Sequence, residues 1–266
     1  MGGMTAWLNG TLTTDLTPDL DHLGFSLAEG LYEVIRVAGG RPLHLRRHWR
    51  RLRGGAAVLE MPMPYGDAAL SLAIRSLLAE ERVSGGLSVR VALTRGAIPR
   101  GFLPPRDGVP SVMITTAPMP EPPIPAELVV STVTRRNEYS PLTRIKTLGT
   151  LDGLLARQEA TRRGADDAVL LNSQGRIAGA SASNLFFLIG DEIVTPPPSE
   201  GVLSGIRRQL AMECFPVVER PVTLEEALAA DDIVMTTSLS LRAVASLEGR
   251  PLPQSGVLRE SFAHAL

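Results

Sequence analysis

Arg144-Ile145-Lys146-Thr147-Leu148 holds the only lysine of a 266-residue chain, in which 27 positions are lysine or arginine and all the others are arginine. Arginine supplies charge and a planar fork of donors but keeps its proton, whereas a desolvated lysine can release it and attack a carbonyl. Lys146 is therefore the first candidate for chemistry. A coding bias toward arginine that left one ordinary surface lysine behind is the competing reading, and uniqueness alone does not separate the two. The neighbours favour chemistry: Ile145 and Leu148 are placed to desolvate an amine whose reference pKa of about 10.4 otherwise keeps it protonated.

Outward from this segment, Leu151, Leu154 and Leu155 share one face and open a helix over 151–163, which turns polar at Gln158 and Glu159. Upstream, five prolines within Ala117–Pro125 forbid helix and sheet ladders and form an extended strap. The strap divides the chain into an N-terminal domain over 1–117, a linker over 118–126 and a C-terminal domain over 127–266. In the first half, Asn9-Gly10 is a hairpin turn between 5–8 and 11–13, strands are expected at 32–37, 87–94 and 111–116, and helices at 43–52 and 67–81. Leu70, Ile74, Leu77 and Leu78 give the second helix its apolar face. In the second half, strands are expected at 128–134, 168–172, 184–189 and 232–237. A helix opens at Ser204-Gly205, and Thr223 with Glu226 is a capping box for a short one.

Twenty-eight acidic residues balance 27 basic ones and hydrophobic residues make up 44%, so the chain is globular and has no general attraction for nucleic acid or an anionic membrane. The arginine-rich run 46–53 keeps Leu45, Trp49 and Leu52 at helical spacing. It reads as an amphipathic helix with a solvated cationic face and one or two arginines available to an anion. One cysteine, Cys214, and four scattered histidines suggest no metal. No secretory pattern or membrane-length apolar run is present, and a cytoplasmic location is the expectation.

Gly201-Val202-Leu203-Ser204-Gly205-Ile206-Arg207-Arg208 places glycine at a helix entrance, where unpaired N–H groups and the positive end of the helix dipole can receive a phosphate. A glycine there is also common as plain punctuation. Thr236-Thr237-Ser238 offers hydroxyls and amides that could complete such a cup, or simply ends a strand.

Together these residues resemble the class IV, or fold-type IV, pyridoxal-phosphate enzymes, the family of branched-chain and D-amino-acid aminotransferases and 4-amino-4-deoxychorismate lyase. The resemblance is carried by Gly24-Phe25 with Glu29–Val37, by His48–Leu52, and by Ile145–Leu148. It continues through Ala156–Ala160, Gly175-Arg176-Ile177, Asn184-Leu185-Phe186, Thr195-Pro196 and Leu203–Arg208. It implies a two-domain α/β (α+β) fold, with a smaller N-terminal α/β domain and a larger C-terminal pseudo-barrel domain. It also implies bound pyridoxal 5'-phosphate, a homodimer, and an amino acid and a 2-oxo acid as small-molecule substrates.

In that resemblance Lys146 forms the Schiff base and shuttles the proton. Arg51, the backbone of Ile206 and Arg207 behind Gly205, and Thr237 and Ser238 hold the phosphate, and Leu203 packs on the pyridine ring. Tyr32 and Arg100 match positions that recognise a substrate carboxylate, Arg100 from a loop of the dimer partner. Without the resemblance, Tyr32 reads as a strand aromatic and Arg100 as a solvated loop charge.

Two positions depart from the family pattern. Gly179 stands where the family has the glutamate that hydrogen-bonds the ring nitrogen; without it the cofactor is a poorer electron sink, and a hydrogen bond from Ser181 or Ser183 to a neutral nitrogen is an arrangement that favours elimination or slow turnover over efficient transamination. Phe102, in 95–102, leans toward the lyases, while Tyr32-Glu33-Val34 is similar to the aminotransferases. The expected activity is transamination. Elimination of pyruvate from aminodeoxychorismate and a binding protein that has lost catalysis are the alternatives.

Overall fold

A computed structural model describes residues 5–15, 27–80, 86–96, 108–120 and 124–263. The chain forms two compact units, one of Met1–Met119 with Ile145–Gly149, the other of Pro120–Arg144 with Thr150–Leu266.

The first unit is built on a six-stranded sheet in the order β2-β1-β6-β5-β3-β4. Its strands are β1 (Ala6–Leu8), β2 (Thr11–Thr13), β3 (Gly30–Ala38), β4 (Arg41–Pro42), β5 (Leu87–Thr94) and β6 (Ser111–Pro118). Asn9 and Gly10 both take positive φ, 47° and 108°, as the expected hairpin turn requires. Along β3 burial alternates, as it must on a sheet with one covered face. Leu31, Ile35 and Val37 join one core with Trp49 and Leu52 of α1 (Leu45–Val58) and Leu70, Ile74 and Leu77 of α2 (Asp67–Glu80). Helix α1 runs past the expected end at 52 and through Gly54-Gly55. Gly55 is needed there, because a Cβ would lie 3.0 Å from both Leu31 methyls and 3.6 Å from Ile145 Cβ.

The second unit carries a curled nine-stranded sheet in the order β12-β11-β10-β13-β14-β7-β8-β9, with β15 on β14. Its strands are β7 (Ala126–Val130), β8 (Asp167–Leu171), β9 (Ile177–Ala180), β10 (Asn184–Ile189), β11 (Glu192–Thr195), β12 (Val217–Glu219), β13 (Asp232–Thr236), β14 (Leu241–Leu247) and β15 (Arg250–Pro251). The helices are α3 (Leu151–Arg162), α4 (Ile206–Cys214), α5 (Leu224–Leu228) and α6 (Val257–Ala263). The Thr223–Glu226 capping box is formed in both directions ahead of α5. No described helix is long and apolar enough to cross a membrane.

Two expectations are corrected here. The leucines that open α3 do not face a core: Leu151, Leu154 and Leu155 are 71%, 51% and 47% exposed, and the helix buries Ala156, Glu159 and Ala160 instead. The strand expected over 128–134 stops at Val130, because Glu159 captures the next residues. Its carboxylate accepts from Ser131 Oγ at 2.8 Å, from Thr132 Oγ1 at 2.7 Å, and from the Thr132 and Val133 amides. These donors bend the chain away from the sheet.

Burial alone would raise the Glu159 pKa, but the Thr132 and Ser131 hydroxyls and then the amides outweigh it and hold the carboxyl at about 2 against an ordinary 4.5. A depressed folded-state value gives stability that is present above the unfolded pKa and lost as pH falls from about 4.5 toward 2. Glu159→Gln is therefore expected to lower the melting temperature at neutral pH and to flatten its decline below pH 4.5. Thermal unfolding followed across pH checks this, and an unchanged acid limb contradicts it.

Candidate functional site

In the first unit the 145–148 segment extends the sheet beside β3. The Tyr32 N–H donates to the Lys146 carbonyl at 2.9 Å, the Leu148 N–H donates to the Gly30 carbonyl at 2.9 Å, and Leu31 and Thr147 form an antiparallel bridge. Glycine at position 30 permits this docking, since a Cβ there would lie 2.6 Å from Leu148 Cδ1 and 2.6 Å from the Leu93 carbonyl. Ile145 packs against the core of the unit. Lys146 is half-buried, and its Nζ stands 4.2 Å from the centroid of the Tyr32 ring. Thus the two residues singled out for amine chemistry and substrate contact lie directly across from one another.

Arg51 lies on the covered face of the same sheet. Its Nε and Nη2 donate to the Glu33 carboxylate at 2.8 and 2.6 Å, and His48 Nδ1 lies 2.7 Å from Glu33 Oε2. The three side chains are 10% exposed or less. Burial pushes the Glu33 pKa up, but hydrogen bonds from Arg51 and His48 and their charges prevail and hold it below the ordinary value. The other arginines of the run behave as a solvated face, with Arg46, Arg50 and Arg53 exposed. Arg100 and Phe102 lie outside the described residues.

In the second unit Gly205 takes an extended conformation as N-cap of α4 and gives it no side-chain cap. The first N–H groups of a helix have no intrahelical acceptor, so this end presents donors and a positive dipole at Ile206 and Arg207. A Cβ on residue 205 would collide with Asn184 Oδ1, while Asn184 Nδ2 donates to the Leu203 carbonyl at 2.8 Å. Asn184 thereby ties the approach to α4 onto β10. Leu203 is half-buried. Thr237, expected to offer its hydroxyl outward, uses Oγ1 to accept from the Leu239 and Ser240 amides at 3.1 and 3.0 Å and so closes the 237–240 turn. Ser238 sits half-buried within that turn.

The loop ahead of α4 rests on a polar layer that local sequence patterns did not reveal. Glu200 accepts from Arg176 Nε and Nη2 at 2.6 and 2.8 Å and from Asn172 Nδ2 at 2.7 Å. Glu138 accepts from Ser173 Oγ at 2.6 Å and from its amide at 3.0 Å, and the serine hydroxyl is the main reason its pKa falls to about 2. Gly201 turns between them at φ 87°, where a Cβ would lie 3.3 Å from Arg136 Cβ and from Glu138 Cα.

Gly179 is buried in β9 with φ 108°, and a Cβ on it would lie 3.0 Å from the Ser183 carbonyl. A glutamate at this position would be strained by the backbone it inherits. Ser181 is 6% exposed, and its hydroxyl accepts from Arg157 Nε and Nη2 at 3.2 and 3.1 Å, leaving one proton to donate elsewhere.

The family model described as amino-transferase class IV matches residues 30–247. The D-alanine aminotransferase of Bacillus licheniformis is 28% identical, with 94% of this chain and 90% of the relative covered. The branched-chain aminotransferase of Thermoproteus uzoniensis, solved with norvaline, superposes with a TM-score of 0.92 at 25% identity, covering 99% of this chain and 93% of that one. A Legionella pneumophila structure provisionally assigned as 4-amino-4-deoxychorismate lyase gives a TM-score of 0.86 at 27% identity, with 94% and 95% covered.

Proposed function

The chain belongs to the amino-transferase class IV family, and from that premise we propose that it is an aminotransferase that exchanges an amino group between an amino acid and a 2-oxo acid at Lys146. The family uses pyridoxal 5'-phosphate. The donor set fits that group. The chain's one amine stands over an aromatic ring, and the uncapped start of α4 offers N–H groups of the sign a phosphate dianion needs.

The observation that carries the reading is the docking of 145–148 on β3, which fixes the backbone of the only lysine on both sides and sets its amine against Tyr32. When bound, the cofactor supplies an aldehyde that condenses with amines and a ring that accepts electrons from the substrate Cα. Lys146 Nζ would be the group that tethers the cofactor and, with substrate in place, the base that takes the substrate Cα proton and the acid that gives it back. The Ile206 and Arg207 amides, with Thr237 and Ser238, would hold the phosphate. Arg51 would hold it as well, and Leu203 would cover the ring. Tyr32, with Arg100, receives the substrate carboxylate, and two copies of the chain assemble the site.

Elimination is the second reading, and Gly179 and Phe102 favour it. Gly179 removes a carboxylate that would keep the ring nitrogen protonated, and β9 and its flanks offer only Ser181 and Ser183 as hydroxyl donors near that position. Incubation of the loaded protein with D- and L-amino acids plus 2-oxoglutarate, and separately with aminodeoxychorismate, distinguishes the two. Oxo acid formed from amino acids supports transamination. 4-Aminobenzoate with pyruvate, and no amino-group exchange, replaces it with the lyase.

A further inference from the structure

Tyr32 is contacted by a second cation that none of the sequence patterns singled out. The guanidinium carbon of Arg90, on β5, lies 4.2 Å from the centroid of the same ring that Lys146 Nζ approaches at 4.2 Å. In the sheet register Tyr32 pairs with Ala92 and Val34 with Arg90, so Arg90 is the diagonal neighbour of Tyr32 on the face that α1 and α2 leave uncovered. The 145–148 segment flanks β3 on the opposite side. The two cations thus reach one ring from segments on either side of β3.

Arg90 is exposed and lies over the Tyr32 ring, and among the described residues no carboxylate pairs with it. Among the described residues, the charged and titratable groups on that face are Tyr32 and Arg36 from β3, Arg41 from β4, which pairs with Ala38, Arg90 from β5, and Lys146 beside the ring. On β6 the register places Met113 and Thr115 there, and Glu33, His48 and Arg51 lie on the other face. An arginine left unpaired beside an aromatic ring gains by lying on its face, and the ring loses rotational freedom in return.

We propose that Arg90 is a positioning residue that clamps the Tyr32 ring and so fixes the surface against which the Lys146 amine is held. The inference rests on the reading of Lys146 as the reactive amine, but its test needs no cofactor. Because Lys146 is the chain's sole lysine, an amine-directed reagent followed by peptide mass analysis reports on that side chain alone, apart from the N-terminal amine, which falls in another peptide.

The full chain, freed of bound carbonyl compounds with hydroxylamine, is labelled at neutral pH as parent, Arg90→Met, Arg90→Lys, Tyr32→Leu and Arg90→Met/Tyr32→Leu. Loss of one exposed cation–π contact corresponds to roughly a two- to fivefold change. Labelling of Lys146 is expected to accelerate by about that factor in Arg90→Met, to stay near the parent rate in Arg90→Lys, and to be no faster in the double variant than in Tyr32→Leu. An unchanged rate in Arg90→Met overturns the proposal. So does a slower one, or an Arg90 effect that persists without the ring, since either would mean that Arg90 acts on the amine by charge through space. Failure to find a cofactor adduct on Lys146 would sink the proposed function and leave this result standing.

Discussion

Lys146→Ala is expected to abolish amino-group exchange, by on the order of a thousandfold or more, because one side chain both tethers the cofactor and carries the proton. Lys146→Arg should fare no better: the charge survives, but a guanidinium remains protonated and does not condense with an aldehyde. The chain's composition makes the accompanying chemical test unusually clean. Borohydride reduction of the loaded protein should add a pyridoxyl mass to the peptide containing Lys146 and to no other lysine, since there is none. The alanine variant should lose both the adduct and the absorbance near 400 nm that a cofactor held by an amine displays. Retention of a tenth of the parent activity in Lys146→Ala, or an adduct elsewhere, removes the basis of the functional reading. A parent protein that binds the cofactor through Lys146 yet turns over neither class of substrate would point to the binding-protein alternative.

What was legible in advance is what local physics decides. The Asn9-Gly10 turn, the Thr223–Glu226 capping box and the strand over 32–37 each depend on residues a few positions apart, and each is found. The misreadings share a cause. Leu151, Leu154 and Leu155 have the spacing of a core face, but spacing does not say which face a sheet will cover, and the covered side of α3 carries Ala156, Glu159 and Ala160. The β-branched run after Val130 has strand propensity, yet one carboxylate from α3 competes for its amides and wins. Lys146 was identifiable from its scarcity. That it would pair with Tyr32 more than a hundred residues earlier, and share that ring with Arg90, depends on register between distant strands, which no local pattern encodes.

Glu33→Ala should destabilise the first unit by about 3–5 kcal/mol, the range for removing one partner of a buried charged pair. Glu33 is fully buried, and it accepts two hydrogen bonds from Arg51 and one from His48. Without it a guanidinium and an imidazole lose their shared carboxylate in a buried layer between β3 and α1, and the loss should appear as a fall of roughly 10 °C in melting temperature. Since Glu33 is held ionised by its partners, its contribution is present above the ordinary carboxyl pKa of 4.5 and fades as pH drops below it. The variant should therefore differ most from the parent near neutrality and converge with it in acid.

The compensating variant decides what the cluster is for. Glu33→Met combined with Arg51→Met replaces both ends by apolar groups of similar length and should recover much of the stability, because neither buried charge is then stranded. If Arg51 also holds the phosphate, that double variant should be well folded and yet bind pyridoxal phosphate weakly. A double variant that is both stable and tight in cofactor binding would assign Glu33 and Arg51 to the architecture of the first unit alone.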